Sequence, residues 1–462
     1  MKRKILYFLL GIMGILLLGC LCSILLRLSD LGETGLKECV TEPTNATTQT
    51  TLFTEALIDT DALVAEVAAA QTDTDEDFLY WFADRFGVEL LSQFAERISQ
   101  SGYCRDDWYE LTGNTYLVLM DLYTGAAEKY SNVRLLSTGT PGVENKTTTL
   151  VFGGDICFAD NYYPMEHMVS TGSAIDQCID PVLVQIMTEA DITFMNNEFT
   201  ISDRGEPMKG KRYTFRAATT NTALYNTLGV DIVSLANNHA FDYGEDAFLD
   251  TLDALRTYGV AQIGGGKNLS DAMTPQYYIV NGRKIAFVAA TRAEKNKMTP
   301  QATETSAGVL RCYDTELFLQ VIAEAEENSD FVIACVHWGT EYSYKLETVQ
   351  ISTARDYIDA GVDLIIGGHA HQLQGIDFDN GKAIFYNLGN FWFNNKSIDT
   401  GLVRAELKAD GEISYAFIPA WQRDCVTTSQ IGTERGRQIL DTLRKYSGNI
   451  CIDDNGIITE EE

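Results

Sequence analysis

Histidine is the residue type in this sequence that points most directly to chemistry. The chain has five histidines, and four of them follow strand-like apolar runs inside turns rich in glycine or asparagine: His239, His337, His369 and His371. His167 lies outside such a setting. A single histidine of this kind would more often be structural. Because side chains at the carboxyl ends of strands converge, and because neutral imidazole is the commonest metal ligand, four histidines so placed predict one shared site.

The most specific of these elements is His369-Ala370-His371, which follows Asp363, the apolar run Leu364–Ile366 and two glycines. We interpret the glycines as a flexible turn. Two imidazoles one residue apart on such a backbone can reach two neighbouring metals, or one metal and a substrate. A His-x-His sequence on a regular strand could do the same by pointing both rings to one face.

Acidic and amide side chains supply the remaining candidate ligands. Asp155 follows a predicted strand and a glycine turn, and Glu198 follows the apolar run 192–195 and two asparagines. Taken singly, each acid could equally be a helix N-cap or a turn residue. Beside four histidines they complete a site suited to Mn, Fe, Zn or Mg. Asn237 and Asn238 could give amide oxygens to a metal or shape the turn before His239.

Two divalent cations about 3.5–4 Å apart can deprotonate a bridging water and stabilise charge on a phosphoryl or acyl oxygen. A nearby histidine that binds no metal could protonate the leaving group. No Gly-x-Ser-x-Gly elbow, Walker loop or dinucleotide fingerprint occurs in the sequence. The formal net charge of −30 disfavours nucleic acid as a partner, because nucleic acid binds through a surplus of Lys and Arg.

These polar motifs depend on an alternation of strands and helices that begins after Lys146. Strands are predicted at Thr149–Phe152, Ile192–Met195, Ile232–Ser234, Lys284–Ala289, Phe331–His337, Leu364–Ile366 and Ala383–Tyr386. Helices are predicted between them, for instance at Ala247–Tyr258, Thr315–Glu326 and Glu347–Ala360. The alternation indicates βαβ units around a largely buried sheet, with the polar motifs at the strand ends.

The N-terminal segment, 1–28, is predicted to be a membrane anchor. Lys2, Arg3 and Lys4 precede an apolar stretch from Ile5 to Leu26, which is long enough to cross a bilayer core. The basic cluster belongs on the cytoplasmic side, so we expect a single-pass cell-membrane protein whose remaining residues are extracellular. Two alternatives are a cleaved signal peptide and a lipoprotein signal ending at Cys20. The length of the apolar stretch favours the uncleaved anchor.

The rest of the chain divides by composition. Residues 29–75 are polar and Thr-rich and predict a stalk, with a short helix possible around Leu57–Ala70. Aromatic residues recur at helical spacing within 76–145, which predicts a small helical subdomain. Residues 423–462 predict one helix, Glu434–Tyr446, and an acidic tail. Cys425 and Cys451 flank that helix and are the best candidates for a disulfide.

Taken in order, the motifs resemble the bacterial capsule-synthesis CapA family, named for poly-γ-glutamate capsule and related in fold to calcineurin-like metallophosphoesterases. The match spans roughly 148–422, within a predicted domain at 146–422. The resemblance rests on Gly154-Asp155, Asn197-Glu198, Ser234-Leu235-Ala236-Asn237-Asn238-His239 with Asp242-Tyr243-Gly244, His337-Trp338-Gly339 with Glu341-Tyr342, Gly368-His369-Ala370-His371, and Tyr386-Asn387-Leu388-Gly389-Asn390-Phe391. The fold that it implies is an α/β, metallophosphatase-like layered β-sheet core flanked by helices.

The resemblance also implies how divalent metals would be held. Asp155 and His371 would serve one metal, with Glu198 bridging to a second. The second metal would be served by Asn238, His337 and His369, and His239 would be the proton donor. The phosphoesterase pattern has Asp-x-His at its first motif and an aspartate at the position of Glu198. Here the first motif is Asp155-Ile156-Cys157, so the first metal could be weakly bound, bound through Cys157, or absent.

Asn237, Arg216 and Glu341 are expected near the substrate, although Arg216 and Glu341 could equally be members of structural ion pairs. The resemblance implies an extracytoplasmic metal-dependent hydrolase or transferase of capsule or cell-envelope polymer synthesis. Its expected partners are an anionic cell-surface polymer, the membrane machinery that makes the polymer, and the membrane itself. Two alternatives stay open, a non-catalytic accessory subunit and an extracellular phosphoesterase unconnected with capsule. The charge of −30 suits an anionic polymer only if metals or local Arg and Lys mediate contact.

Overall fold

The computed structural model describes residues 58–70, 72–143, 146–293 and 297–461. The predicted membrane anchor, 1–28, and residues 29–57 of the predicted stalk lie outside these residues. Among the residues that the structure describes, no helix is long and apolar enough to cross a bilayer.

The N-terminal part of the described chain is a small helical subdomain. Its core contains Phe78, Phe82, Phe94 and Trp108, with ring centroids of Phe94 and Trp108 only 3.7 Å apart. The first helix buries Leu63, Val64 and Val67 in the same cluster, so the subdomain begins before residue 76. Its helices are α1 (Thr60–Ala69), α2 (Glu76–Phe86), α3 (Val88–Ser101), α4 (Asp106–Thr112), α5 (Tyr116–Thr124) and α6 (Ala126–Lys129).

Strands and helices alternate through the remainder of the chain. The strands are β1 (Val133–Leu135), β2 (Thr148–Ile156), β3 (Ile192–Asn197), β4 (Thr200–Ile201), β5 (Arg216–Ala217), β6 (Ile232–Ser234), β7 (Ala261–Ile263), β8 (Gly265–Gly266), β9 (Gln276–Val280), β10 (Arg283–Thr291), β11 (Gly308–Val309), β12 (Phe331–His337), β13 (Leu364–Gly368), β14 (Ile376–Asp379), β15 (Lys382–Phe385), β16 (Asn390–Trp392), β17 (Ile398–Leu407), β18 (Ile413–Arg423), β19 (Val426–Ser429), β20 (Ile450–Ile452) and β21 (Ile457–Glu460). The helices are α7 (Tyr163–Thr171), α8 (Ile175–Cys178), α9 (Pro181–Glu189), α10 (Ala223–Leu228), α11 (Glu245–Thr257), α12 (Leu269–Met273), α13 (Glu316–Glu327), α14 (Thr348–Asp359) and α15 (Glu434–Tyr446), with a 3₁₀ turn at Thr219–Thr222.

In the described part of the chain, most strands belong to two mixed sheets. One has seven strands in the order β1-β9-β10-β12-β13-β15-β14. The other has ten, in the order β20-β21-β18-β17-β2-β3-β6-β7, with β16 beside β2 and β19 beside β18. Within the first sheet β10, β12, β13 and β15 run parallel, and within the second β2, β3, β6 and β7 run parallel. Five antiparallel pairs, β9–β10, β14–β15, β17–β18, β18–β19 and β20–β21, join strands that are consecutive in sequence and need only short hairpin connections.

The two sheets pack face to face, and helices cover their outer faces. Apolar residues from both sheets, such as Phe152 and Phe287, form one buried cluster between them. A second cluster lies between the ten-stranded sheet and α8–α11, and a third lies between the seven-stranded sheet and α13 and α14. The layers therefore run helix, sheet, sheet, helix. This layered arrangement of sheets and helices was predicted, but the prediction did not separate the strands into two sheets.

The last forty residues also differ in part from the prediction. The helix Glu434–Tyr446 is confirmed. The acidic tail beyond it forms the hairpin β20–β21, and β21 pairs with β18 at the edge of the ten-stranded sheet. The predicted disulfide is wrong, because Cys425 and Cys451 are both free thiols, the first buried and the second exposed.

An ion pair joins the helical subdomain to the seven-stranded sheet. Lys284 on β10 and Asp121 on α5 lie 2.6 Å apart, and their side chains are 7% and 16% exposed. Replacing Asp121 with alanine leaves a buried ammonium group without its partner, so we expect the free energy of unfolding in urea to fall by about 3 kcal/mol. The exposed pair of Lys408 and Glu412 is the matched control, and Glu412→Ala should cost less than about 1 kcal/mol. Equal losses in the two variants would contradict this prediction.

Candidate metal centre

The site lies at one edge of the sandwich, where parallel strands of both sheets end. Asp155 is the next-to-last residue of β2, and Glu198 directly follows β3. From the other sheet, His337 is the last residue of β12, and His369 directly follows β13. Because each sheet brings the carboxyl ends of its parallel strands to one edge, residues far apart in sequence meet here.

Close backbone packing, and not a flexible turn, explains the glycines before these residues. Gly153 and Gly154 lie inside β2, and Gly367 and Gly368 lie inside β13. A Cβ atom at Gly154 would lie 1.9 Å from the Gly389 oxygen, and one at Gly368 would lie 3.0 Å from Asp155 Oδ1. The prediction of glycine turns at these positions is therefore wrong. The glycines make room for the neighbouring backbone and for the acid itself.

Asp155, Glu198 and His371 form the first group of candidate ligands, with ligand atoms that all lie within 4.8 Å of one another. Asp155 Oδ2 lies 3.3 Å from His371 Nδ1, and Glu198 Oε1 lies 4.0 Å from His371 Nε2. The amide oxygen of Asn390 lies 2.8 Å from His371 Nδ1. All four residues are buried.

Glu198, His337 and His369 form the second group, within the same 4.8 Å limit. His337 Nε2 lies 3.6 Å from Glu198 Oε1 and 3.1 Å from His369 Nδ1. Asn238 Oδ1 lies 2.7 Å from the same His337 nitrogen. Glu198 belongs to both groups, as the resemblance implies for a bridging ligand.

The donor set fits divalent metals. Asp155 Oδ2 and both carboxylate oxygens of Glu198 are buried without a hydrogen-bond partner. A buried carboxylate without a partner is costly, so such oxygens are expected where a cation is bound. Carboxylate, imidazole and amide donors together suit Mn, Fe, Zn or Mg.

His239 lies beside both groups and is held by a separate network. Its Nδ1 lies 2.7 Å from Asp242 Oδ2, and its Nε2 lies 3.9 Å from Glu198 Oε1. Lys211 Nζ lies 2.7 Å from the other oxygen of Asp242. Because Asp242 engages Nδ1, the Nε2 atom is the one that faces the candidate metal ligands.

The two candidate ligand histidines that follow β13 have strained backbones. His369 has φ 93° and His371 has φ 55°, and both values lie in the left-handed region that favours glycine. Such strain persists only where surrounding contacts enforce it, and it is concentrated at functional sites.

Burial and neighbouring charges shift the pKa values of the candidate ligands. Burial raises the pKa of Glu198 well above its ordinary value, and the nearby Asp155 carboxylate raises it further. Burial lowers the pKa values of His337 and His369 well below the ordinary value. Burial also disfavours the charged form of His371, but Glu198 and Asp155 outweigh it and raise its pKa to about 9. At neutral pH the metal-free site therefore favours a protonated His371, while His337 and His369 are neutral.

We expect metal binding to displace the proton of His371, because metal ligands must be deprotonated. Affinity for Mn²⁺ should therefore rise as pH increases from about 6 toward the His371 pKa of about 9. Titration calorimetry in buffers of different ionisation enthalpy measures the protons released. An affinity for Mn²⁺ that does not change over this range would contradict the prediction.

A family comparison matches this part of the chain. The model of the family described as "Bacterial capsule synthesis protein PGA_cap" matches residues 149–395, which is more than half of the chain. The chain belongs to this family. The matched range contains every residue of the two ligand groups and His239.

Individual relatives match this chain over fewer residues than the family model does. The PGA biosynthesis protein CapA of Bacillus subtilis is 37% identical over 192 residues, which are 41% of this chain and 50% of the relative. A probable polyglutamine synthesis accessory protein of Mycobacterium tuberculosis is 28% identical over 212 residues, or 44% of this chain and 56% of the relative. The chain thus spans about half the length of the relatives that it matches.

Among solved structures, the 5′-nucleotidase from Candida albicans overlaps 61% of this chain and 54% of its own. The sequence identity is 11% and the TM-score is 0.34. At this low similarity, the overlap supports no conclusion about this chain.

The structure describes the contacts of the three residues predicted near the substrate. The Arg216 guanidinium donates hydrogen bonds to the Arg204 and Gly205 carbonyls and lies 4.5 Å from the Tyr243 ring, so it holds the loop around residue 205. Glu341 is exposed, although its charge raises the pKa of His371. Asn237 accepts a hydrogen bond from the His239 amide and donates one to the Asn197 carbonyl, so it shapes the turn.

Cys157, the residue at the departure from the phosphoesterase motif, belongs to neither ligand group. Its side chain is fully buried in the cluster between the ten-stranded sheet and its helices. Burial raises the pKa of the thiol well above its ordinary value, which disfavours the thiolate that a metal requires. The first ligand group therefore consists of Asp155, Glu198 and His371 without Cys157.

Sequence reasoning missed several residues of the site. Asn390 contacts His371, and Asn196 donates a hydrogen bond of 2.7 Å to Asp155. Asp242 positions His239, and Lys211 contacts Asp242. Asn390 and Asp242 lie within motifs that carried the resemblance, which was the available signal. Lys211 lies in no such motif and could not be found in this way.

Proposed function

We propose that this protein is a membrane-anchored, extracytoplasmic enzyme of capsule or cell-envelope polymer synthesis. It hydrolyses or transfers a phosphoryl or acyl group, and poly-γ-glutamate, to which the names of the family and of the Bacillus subtilis relative point, is the proposed polymer. The observation that supports this proposal best is Glu198, whose two buried, unpartnered oxygens are shared by two groups of metal-ligand type.

The residues of the site have separate roles in such a reaction. Asp155, Glu198 and His371 would hold one metal, and Glu198, His337, His369 and Asn238 would hold the other. The bound metals would supply Lewis acidity toward a phosphoryl or acyl oxygen and a more acidic water. Burial lowers the pKa of His239, and the Asp242 carboxylate opposes this shift. When doubly protonated, His239 would donate a proton from Nε2 to the leaving group.

Metal content and activity of the full chain in detergent test this proposal. The preparation should contain a divalent metal and cleave either bis(p-nitrophenyl) phosphate or γ-glutamyl p-nitroanilide. A double variant, His369→Ala with His371→Ala, should lose both properties. His167→Ala is the matched control, because His167 lies on α7 outside the ligand groups, and it should keep both. Cleavage of the phosphodiester alone would favour a phosphoesterase unconnected with capsule.

A second candidate function is a non-catalytic accessory subunit of a polymer-synthesis complex. The observation that favours it is Cys157, which occupies a position where the phosphoesterase pattern has a histidine and which stays outside the ligand groups. One relative is itself named an accessory protein. A metal-free wild-type protein that supports polymer synthesis equally well with and without the double histidine replacement would select this function.

The proposed location has its own test. Protease added to intact cells should cut the Thr-rich segment 29–57 and release a soluble fragment that contains the sandwich. Cytoplasmic protein in the same cells serves as the control for intactness. If the fragment is protected until the cells are lysed, the proposed topology is reversed.

A further inference from the structure

Two loops meet beside the His371 side of the metal centre. One follows β12 and carries Tyr342, whose ring centroid lies 5.7 Å from that of His371. The other follows β16 and carries Phe393, whose ring centroid lies 4.9 Å from that of His371. The ammonium group of Lys396 lies 3.8 Å from the centre of the Tyr342 ring, which connects the two loops.

Each loop is held in place by its own contacts. Tyr342 has φ 56°, in the left-handed region, and its amide donates a hydrogen bond of 2.8 Å to the Ala370 carbonyl between the two ligand histidines. The fully buried Gln422 accepts a hydrogen bond from the Phe393 amide and donates hydrogen bonds to Asn394 Oδ1 and the Lys396 carbonyl. The position of Lys396 beside the metal centre is therefore built by buried and strained structure.

The described residues provide no acidic partner for the charge of Lys396. In the described part of the chain no carboxylate lies within ion-pair distance of its ammonium group, although the full chain has 65 acidic residues against 35 Lys and Arg. Its side chain and that of Tyr342 are both exposed. A cation left unpaired in so acidic a protein, at the mouth of a candidate site, is available to an anion from solution.

We propose that Lys396 recognises a second anionic group of the substrate, separate from the group that reacts at the metal centre. This inference rests on the proposed function and narrows its substrate class to acidic polymers or oligomers that carry repeated carboxylate or phosphate groups. Tyr342 fixes the direction of the ammonium group, so it is a positioning residue. The arrangement also explains how a chain of net charge −30 can engage an anionic polymer.

Binding of fluorescein-labelled tetra-γ-glutamate to the Mn²⁺-loaded full chain, measured by anisotropy, tests the proposal. Lys396→Met should weaken binding about tenfold, since one charge-assisted contact is lost, and Lys396→Arg should restore most of the affinity. Lys267→Met is the matched control, because it removes the same charge from an exposed lysine whose ion pair is with Asp271. Equal weakening by both Met variants would show a general charge effect and overturn the proposal.

Kinetic measurements on two substrates distinguish a failure of this inference from a failure of the proposed function. On bis(p-nitrophenyl) phosphate, which has no second anionic group, Lys396→Met should leave kcat and KM unchanged. On a substrate that adds a remote carboxylate to the same phosphodiester, it should raise KM about tenfold with kcat unchanged. Equal effects on both substrates overturn the role of Lys396 while the enzyme proposal stands. If the wild type cleaves neither phosphodiester and also leaves γ-glutamyl p-nitroanilide intact, the enzyme proposal fails, and the anisotropy result still decides whether Lys396 binds the anion.

Discussion

Replacing Glu198 with glutamine is expected to abolish metal binding at both ligand groups and to lower activity by a factor of about 10³ or more. The two groups share this one carboxylate, so no other single replacement among the described residues removes a ligand from both. Glutamine has nearly the same shape, which keeps the packing of the surrounding buried residues. Metal content by mass spectrometry and turnover of the same preparation are the two measurements.

In the metal-free protein, the same replacement should increase the free energy of unfolding. Burial raises the pKa of Glu198 in the folded chain, so the unfolded chain releases this proton at lower pH than the folded chain does. The contribution of Glu198 to stability is then fully present below its unfolded pKa of about 4.3 and is lost as pH rises toward the folded value. At pH 8 the metal-free Glu198→Gln variant should therefore be more stable than wild type, by about 1–3 kcal/mol.

Glu341→Gln is the matched control for both effects. Glu341 is exposed near the site, so its replacement removes the same charge without changing a ligand. It should keep metal and activity, and its metal-free stability should change by less than about 0.5 kcal/mol. If Glu198→Gln retains two equivalents of metal, or is less stable than wild type when metal-free at pH 8, the assignment of Glu198 as the shared ligand is wrong.

The second large effect is expected at His239. If it protonates the leaving group, His239→Ala should lower kcat by about 10²–10⁴ on an alkyl phosphodiester. The loss should be far smaller on bis(p-nitrophenyl) phosphate, because p-nitrophenolate leaves without a proton. Metal content should stay unchanged, since His239 belongs to neither ligand group. The ratio of the two losses is the quantity to measure.

The variant Asp242→Asn tests whether the Asp242 carboxylate is needed to keep His239 protonated. The imidazole of His239 remains, but the carboxylate that lies 2.7 Å from Nδ1 is removed, so the protonated form loses its stabilisation. Because His239 must be protonated to act as the acid, the alkaline limb of the rate profile should then move to lower pH. Equal losses on both leaving groups for His239→Ala would show that His239 supports the fold or the metal groups and does not act as the acid.

Much of the site could be predicted because it depends on short-range sequence order. An apolar run followed by a polar residue places that residue at a strand end whatever the strand pairs with, so Asp155, Glu198, His337, His369 and His371 could all be found. The role of the glycines could not be found. Whether Gly154 turns or continues the strand depends on the carbonyl of Gly389, which is 235 positions away in the sequence and 1.9 Å from the place of a Cβ.

The division into two sheets depends on pairings of the same long-range kind. Strand β10 pairs with β12, and β2 pairs with β3, but the local pattern of these four strands is equally apolar. Strands β17 and β18 were not predicted, although they form a long antiparallel pair beside β2. The hydrogen bonds from Arg216 to the carbonyls of Arg204 and Gly205 could likewise not be predicted from its neighbours in sequence.

The origin of the ligands in both sheets has a mechanical consequence. Asp155 and Glu198 come from one sheet, and His337, His369 and His371 come from the other. A cation bound among them would act as a cross-link that fastens the two halves of the sandwich at their open edge. Metal at 100 times its dissociation constant would stabilise the native chain by about 2.7 kcal/mol. Chelation should therefore increase amide hydrogen exchange first at the ends of β2, β3, β12 and β13, before the hydrophobic layer between the sheets loosens.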